Sequence, residues 1–500
     1  MAQRTLADLS AAAAAAREPG FTPAVNPRLG GVDPLGLRQI NFDLMDLVLP
    51  GLNNEARHIR PFVVVSWAWR RASQLAQRSG STEVELGRLW DFVDRIEVLY
   101  VWSQFLWYRN ADLPGRQILA PLLAQDEYRF GGANWEQRRA TRRDSTALSS
   151  ALNYGPGLKA LGWLAAHPDY AGLMVPYAAV VPALDALDAK MSEALGHEAF
   201  NRFGEVVVTR GDVARWAEAW ALTDPTEPER RAMAEALFGA RASVARRLAG
   251  ELLISASVFA GSTAVREIRS AMTGPPSDFA PEDRLLETRD AWRRVQVRQL
   301  FRLSLEGLLF WIMRRLQEAP SSLAALVHAF VDRVPCEGFM TTGQWLDRLV
   351  PAPSGPLELM AAIEDALRDQ TEADLPRSLV AGLAFCLVGD AGAESSTERD
   401  DRLPLRRARR EALSRAAGPI EEFVRHVFES WVLAQHTYWS VGRGLADARA
   451  RGRALLRLKV ILDEGGWTLA PGVSPGLPPA PARDRLATAV SLATECGVLG

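Results

Sequence analysis

The chain has 500 residues, of which 48% are hydrophobic and 24% are charged. This length is too great for one ordinary hydrophobic core and by itself favours two to four domains, of which we expect two or three. Lysine plus arginine number 58 against 60 aspartate plus glutamate residues, so the net charge is -2. This balance excludes a general polycation, and any nucleic-acid site must therefore be local.

The composition also bears on the cellular compartment. The chain has three cysteines, Cys336, Cys386 and Cys496, and their odd number and wide separation are not typical of a disulfide framework or of paired zinc ligands. The N-terminus lacks the bulky apolar segment of a secretory signal. With a mean hydropathy of -0.06 and no apolar run of about eighteen residues, we expect a cytoplasmic protein without a membrane segment.

Apolar residues recur at helical spacing along most of the chain, which predicts a mainly α-helical, multi-domain protein with few or no strands. Shifts in composition place the domain boundaries. The predicted segments are a flexible N-terminal arm at 1–34, an N-terminal helical domain at 35–195, a central helical domain at 196–388, a linker at 389–404 and a basic C-terminal helical domain at 405–500.

Several elements are predicted in chain order. The β-branched and aromatic stretch 62–69 suits a buried helix, although a short strand would have the same composition. Further helices are expected at 158–165 and 180–195. Thr209 is a plausible cap for a helix that runs to Leu222, and acidic residues before Glu229 open the next helix. Further helices are predicted at 237–258, 289–317, 324–331, 357–367 and 483–495.

Motifs of known chemistry are not found in a convincing context. The chain contains no Gly-Lys dipeptide, so a P-loop is excluded. Gly155-Pro156-Gly157 lacks the preceding strand of a dinucleotide loop, and the Gly-x-Ser-x-Gly match at 472–476 lies in a proline-rich loop. The six histidines do not show the spacing of a metal site. We therefore assign no catalytic residue, no cofactor and no metal, although an active site of dispersed acids and arginines would escape this search.

Two clusters of cations make the C-terminal region locally basic, and both are predicted to lie on helices. Arg402 begins the first cluster, whose candidate binding residues are Arg406, Arg407, Arg409 and Arg410. Arg443 begins the second, whose candidate residues are Arg449, Arg451, Arg453, Arg457 and Lys459. If both helices face the same way, they can hold a phosphate backbone, and Tyr438 and Trp439 can stack on a base. The alternative is a solvated basic face, which is the more common role of charge runs.

One block near the N-terminus resembles a known family. The block consists of Leu35-Gly36, Ile40, Asp46-Leu47, Pro50-Gly51, Arg60, Phe62 and Trp67. It is similar to the start of a bacterial domain family of unknown function, in which a Leu-Gly-x-x-x-Ile stretch precedes Pro-Gly and an Arg-x-Phe-x-x-x-x-Trp segment. The resemblance covers residues 35–71 well and residues 209–229 more loosely. The family implies an association with helicases and phospholipase-D-like nucleases in defence or restriction loci, but no reaction.

The same block provides candidate site residues. Arg57, Arg60 and Trp67 are the candidates, and the two arginines would share one face of a helix because they lie three residues apart. They could form an anion site, or they could pair with acids such as Glu55 and hold the fold together.

Together, these features favour a non-catalytic component of a bacterial antiviral defence or restriction system that contacts DNA and a helicase or nuclease partner. An enzyme with a dispersed site that acts on nucleic acid and a purely structural scaffold are the alternatives. The arrangement of the two arginine clusters discriminates among them, because a shared surface is required for the DNA-binding interpretation.

Overall fold

The computed structural model describes most of the chain from residue 33 to residue 500. The ranges outside the description are 1–32, 79–85, 109–110, 116–118, 120–123, 143–147, 151–152, 275–277, 337–340, 351–354, 370–373, 391–397, 400–401 and 452–455, together with the side chains of 141–142, 447–448 and 450–451. All but the last two residues of the predicted N-terminal arm therefore lie outside the described residues.

Helices dominate the first half of the described chain. They are α1 (Arg38–Val48), α2 (Ile59–Arg78), α3 (Leu86–Trp107), α4 (Ala133–Arg142), α5 (Gly155–Ala160), α6 (Val181–Lys190), α7 (Glu198–Asn201), α8 (Arg210–Trp216), α9 (Glu227–Leu237), α10 (Val244–Ala260) and α11 (Val265–Thr273). Short 3-10 turns occur at Ala178–Val180, Ala194–Gly196 and Asp283–Leu285.

The second half begins with the longest described helix. The helices are α12 (Leu286–Glu318), α13 (Leu323–Val331), α14 (Thr342–Leu349), α15 (Pro356–Asp369), α16 (Asp374–Ala384), α17 (Leu405–Ser414), α18 (Ile420–His426), α19 (Gln435–Arg451) and α20 (Leu486–Glu495). Two segments are π-helical, Phe385–Gly389 after α16 and Val427–Ala434 between α18 and α19. The prediction of a mainly α-helical protein is confirmed.

The described strands form three small antiparallel pairs. They are β1 (Glu127–Phe130) with β4 (Val206–Thr209), β2 (Leu164–Ala166) with β3 (Met174–Pro176), and β5 (Val460–Asp463) with β6 (Gly466–Leu469). In the first pair, Tyr128 lies opposite Val208. Among the described residues none of these sheets has a third strand, so the helices form most of the fold.

Buried apolar side chains form two clusters. The first cluster contains buried apolar residues from 40 to 295 and from 486 to 499. The second contains Leu35, Leu37 and buried apolar residues from 297 to 460. Helix α12 joins them, because Val295 belongs to the first cluster and Val297 to the second. Each end of the described chain thus packs into the cluster built mainly by the other half. The domain boundaries at 195/196 and 388/389, and the linker at 389–404, stay predictions.

A polar stripe on α12 binds the extended segment that leads back to the first cluster. Gln296, Gln299 and Arg302 are three residues apart and share one face of the helix. The Gln299 amide donates to the Ala482 carbonyl at 2.6 Å and accepts the Ala482 amide at 2.9 Å. Arg302 donates to the carbonyl of Ala480 at 2.8 Å. The stripe satisfies backbone groups that would otherwise be buried without a partner.

Several local predictions are confirmed. The stretch 62–69 lies within α2, and all of its residues are buried. A helical segment buried all round has no polar face, which is why its sequence could also have been that of a short strand. Thr209 accepts the amide of Asp212 at 3.1 Å and forms a capping box. The long central helix is present as α12, and helices occur at α13, α15 and α20 near their predicted positions.

Other local predictions are wrong or only partly right. The helix predicted at 237–258 is interrupted after Leu237, because Ser243 caps a new helix by accepting the amide of Arg246. The helix predicted at 158–165 ends at Ala160, where Gly162 adopts a φ of 67° and turns the chain into β2. The predicted second basic helix ends earlier than expected. Arg457 and Lys459 lie beyond it in non-helical chain before β5.

Candidate nucleic-acid interface

The first arginine cluster lies on α17, which buries Leu405, Ala408 and Ala412. Arg409 follows the same inward face, and its guanidinium donates to the carbonyl of Cys386 at 2.9 Å and also to the carbonyl of Asp390. Arg409 therefore fixes the chain that follows α16 and is not a surface cation.

The other three arginines of this cluster lie nearer to solvent. Arg407 is exposed and donates to Glu411 at 2.7 Å. Arg406 is half-buried, and Arg410 is exposed. Since Arg406 and Arg410 lie four residues apart, they share one face of α17. Of the four predicted arginines, only Arg407 and Arg410 are exposed, and Arg407 is paired with Glu411. Arg410 is therefore the best candidate of the four for contact with a phosphate.

The second cluster is less uniform than predicted. Arg449 is exposed on α19, whereas the Arg451 side chain and the whole of Arg453 lie outside the described residues. Arg457 is half-buried, and its carbonyl accepts the hydroxyl of Ser440 at 3.2 Å. Burial lowers the pKa of the Lys459 ammonium. Lys459 is half-buried like Arg457, so neither is a fully exposed cation.

Trp439 on α19 connects the two basic segments. The guanidinium carbon of Arg402, just before α17, lies 4.1 Å from the centroid of the Trp439 ring, and that of Arg443 lies 5.6 Å from the same centroid. Both distances are within the range of a cation–π contact. The start of the first basic segment and the middle of the second therefore meet on one ring, and we call Trp439 with these two guanidinium groups the Trp439 surface. Arg406, Arg410 and Arg449 lie further along the same two segments.

An N-terminal strap, Asp33–Gly36, holds this arrangement in place. Its four consecutive carbonyls accept hydrogen bonds from Trp439 at 2.9 Å, His436 at 2.8 Å, Gln435 at 2.9 Å and Arg402 at 2.9 Å. Each carbonyl thus has a side-chain donor from the C-terminal region, which satisfies backbone that no helix or strand pairs.

The strap also explains the Leu-Gly dipeptide at its end. Gly36 has a φ of 73°, a conformation that L side chains rarely adopt. A Cβ atom at this position would overlap the ring of Trp439. Leu35 and Leu37 on either side are fully buried in the second cluster. Local geometry therefore requires glycine between two buried leucines.

The charge balance of the region is strongly positive. Between residues 402 and 459 the sequence has thirteen arginines and lysines against five aspartates and glutamates. The chain as a whole has a net charge of -2, so the remainder is acidic by difference. A local excess of cations is what a polyanion site requires, and it also occurs on solvated basic faces.

The candidates from the N-terminal block lie elsewhere, in and around the first cluster. The side chains of Arg60 and Glu229 are fully buried and form an ion pair of 3.0 Å. Arg57 pairs with Asp112 at 3.1 Å, and the buried indole of Trp67 donates to Asp188. Each candidate has a partner within the fold, and none is brought to the Trp439 surface.

The sequence placed Arg402 and Arg443 at the start of the two basic clusters but not among the candidate site residues, and it did not indicate His436. The spacing of Trp439 and Arg443, four residues apart on a helix, is a local signal that could have found one of them. Arg402 and the strap reach Trp439 only through the tertiary fold.

Comparison with known proteins adds no evidence on the function of this surface. Neither a family model nor a curated protein nor a solved structure matches the chain. In the part of the chain that the structure describes, no three histidine, cysteine, aspartate or glutamate side chains are placed to share a metal ion. Among the described helices no single one is long and apolar enough to cross a membrane, and α10 and α11 reach that composition only as a pair bent by 105°.

Proposed function

We propose that this chain is a DNA-contacting component of a bacterial antiviral defence or restriction assembly and that the Trp439 surface binds the phosphate backbone. The observation that carries the proposal is the pair of guanidinium groups, Arg402 and Arg443, on the one ring of Trp439. It supports a common surface for the two basic segments, which the DNA-binding interpretation requires.

The chemistry of the surface suits phosphate. A guanidinium presents planar, paired donors that match phosphate oxygens, and stacking on an indole orients it. Arg410 and Arg449 add exposed charge, and Tyr438, with 59% of its surface exposed, offers a face for an unpaired base. Backbone contacts of this kind position nucleic acid without reading its sequence. We therefore expect binding that depends little on sequence.

The place in a defence assembly rests on the resemblance of the block between Leu35 and Trp67. Members of that family are associated with helicases and phospholipase-D-like nucleases, and we propose the same kind of partner here. The test is co-expression with a helicase and a nuclease of that type from the same genome. A complex that survives size-exclusion chromatography supports this part of the proposal, and separate elution of all three proteins contradicts it.

DNA binding is tested by fluorescence anisotropy with labelled duplex and single-stranded DNA across a salt series. We expect the affinity to fall steeply as salt rises, because binding to phosphates releases counterions. Arg410→Glu and Arg449→Glu should each weaken binding and lower the slope of log affinity against log salt by about 1 per lost phosphate contact.

Arg241→Glu is the matched control for these variants. Arg241 is exposed in the loop before α10, and the substitution changes the net charge by the same amount at a distance from the Trp439 surface in sequence. Equal losses in all three variants would show that only the overall charge matters. Binding that is absent or independent of salt would contradict the proposal and favour a scaffold role.

A further inference from the structure

A carboxylate on α17, an imidazole at the end of α18 and a hydroxyl in the π-helical segment after it form a continuous relay. Glu411 Oε2 lies 2.9 Å from His426 Nε2, and His426 Nδ1 lies 3.3 Å from Ser430 Oγ. The side chains of Glu411 and His426 are 22% and 17% exposed, and Ser430 is half-exposed. All three groups are therefore ordered by packing and still lie within reach of solvent.

The carboxylate fixes which nitrogen of His426 carries the proton. Glu411 also accepts from the indole of Trp431 at 2.7 Å and from Arg407 at 2.7 Å. Burial acts to raise the pKa of Glu411, but these hydrogen bonds outweigh it and lower the pKa to about 2. An ionised carboxylate can only accept, so Nε2 of His426 donates to it. In the neutral imidazole Nδ1 then has a lone pair that can accept the hydroxyl hydrogen of Ser430, 3.3 Å away.

The backbone around Ser430 favours this geometry. Serine and threonine within a helix commonly donate to the carbonyl four residues earlier, as Ser304 and Thr437 do at 2.9 Å each. Ser430 lies in the π-helical segment Val427–Ala434, and within the described chain its hydroxyl bonds only to His426. Single π-helical turns are frequent at functional sites.

The next helix contains a similar pair that cannot work in the same way. His436 and Ser440 have the same spacing, and their Nδ1 and Oγ atoms are 3.5 Å apart. Nε2 of His436 accepts the amide of Lys459 at 2.8 Å, so its proton is on Nδ1 and is donated to the carbonyl of Pro34 at 2.8 Å. Both residues are buried. This pair therefore has no basic nitrogen facing its serine and provides an internal control.

We propose that Ser430 is an activated nucleophile, with His426 as its general base and Glu411 as the residue that positions the imidazole, and that the chain cleaves small activated carboxylic esters at this site. The carboxylate, imidazole and hydroxyl have the roles of a serine-hydrolase triad, although the serine here faces Nδ1 and the acid faces Nε2. The inference does not depend on DNA binding.

The reaction has two balanced steps. Ser430 Oγ forms a bond to the acyl carbon, its proton moves to His426 Nδ1, and the bond between the acyl carbon and the leaving oxygen breaks. The leaving group departs as an alkoxide or phenolate and takes the proton from His426. Water then attacks the acyl-serine with His426 again accepting a proton, which releases the carboxylic acid and restores the hydroxyl.

Two probes test the site with the full chain. One is a fluorophosphonate, with the labelled residue identified by peptide mass spectrometry, and the other is p-nitrophenyl acetate, followed by release of p-nitrophenolate. We expect label on Ser430 and no label at that position in Ser430→Ala. His426→Gln should slow labelling by about 100-fold, the usual contribution of a general base. Glu411→Gln should lower kcat for the ester while KM stays within about twofold, because the charge acts on the imidazole and not on the substrate.

Two controls keep the test decisive. Ser440→Ala should hydrolyse the ester at the parent rate, and the thermal unfolding midpoint of each variant shows whether it is folded. The proposal is overturned if Ser430 is labelled no faster than the exposed Ser414. It is equally overturned if folded His426→Gln reacts like the parent, or if Glu411→Gln changes only the unfolding midpoint.

Discussion

The buried ion pair of Arg60 and Glu229 allows a quantitative prediction. The two side chains have no exposed surface and approach to 3.0 Å. Burial raises the pKa of Glu229, and the charge of Arg60 opposes that shift. In Arg60→Met the carboxylate stays buried without its cation, and loss of one partner of such a pair typically costs about 3–5 kcal/mol. We expect Arg60→Met to lower the free energy of unfolding by about that amount.

A double-mutant cycle separates the pair from its surroundings. Glu229→Met leaves Arg60 uncompensated and also removes the carboxylate that accepts the amide of Thr226 at the start of α9, which adds about 1 kcal/mol. With both residues replaced by methionine no charge stays buried. The double variant should therefore be more stable than the sum of the two single changes predicts, by at least about 2 kcal/mol.

The effect of pH on this pair has a definite sign. Without Arg60, the pKa of Glu229 in the folded protein should rise further above its unfolded value, so the folded state binds more protons. The stability of Arg60→Met should then fall as pH rises from the unfolded pKa through the folded one. Its defect relative to the parent should be larger at pH 8 than at pH 5.

Urea denaturation followed by circular dichroism measures these free energies. Arg231→Met is the matched control, because Arg231 and Glu227 form a pair on the same helix with 74% and 69% of their side chains exposed. Its loss should cost less than about 1 kcal/mol. A cost for Arg60→Met as small as that of the control, or simple additivity in the double variant, would refute the reasoning.

Three further predictions concern the strap and the extended C-terminal segment. Gly36→Ala should lower the thermal unfolding midpoint, because it combines backbone strain of about 1–3 kcal/mol with overlap against Trp439, and an unchanged midpoint would argue against the strap geometry. Burial lowers the pKa of His436 to about 4, so its contribution to stability is complete above about pH 6.5 and is lost as pH falls toward 4, by up to about 3 kcal/mol. Urea unfolding at pH 7 and pH 4.5 should show that loss in the parent, but less of it in His436→Gln. Asp484→Asn should cost about 1–3 kcal/mol because it weakens two hydrogen bonds from Arg269 of 2.6 and 2.9 Å, and a free energy of unfolding equal to that of the parent would contradict this.

The local sequence predicted elements whose stabilising contacts are close in the chain. Thr209 and Asp212 form their capping box within one turn, and apolar residues recur at helical spacing from Trp292 to Leu316 in the 33-residue helix α12. Both predicted features are present in the structure because each depends on contacts between residues three or four apart in the chain. The break at Ser243 was missed because alanine and arginine on both sides favour a continuous helix.

The candidate sites depend on contacts that no short window contains. Arg402 reaches Trp439 and Gly36, and Glu411 reaches His426 across the turn between two helices. The sequence identified the basic character of the region, but it could not show that the guanidinium of Arg409 donates to two backbone carbonyls. The direction of a side chain on a helix is known from its sequence only relative to its own helix.

The sequence by itself determined the helical class of the protein, the cap at Thr209 and the position of its basic segments, because helical periodicity, capping and charge are local properties. Only the tertiary structure decided how helix α12 divides the buried side chains between two clusters. It also decided that the strap before α1 packs against α19, and that a serine, a histidine and a glutamate form one relay. The first two arrangements join segments that lie hundreds of residues apart, whereas the relay joins two helices through side chains that lie 15 residues apart. In each case burial between the segments offsets the loss of chain entropy.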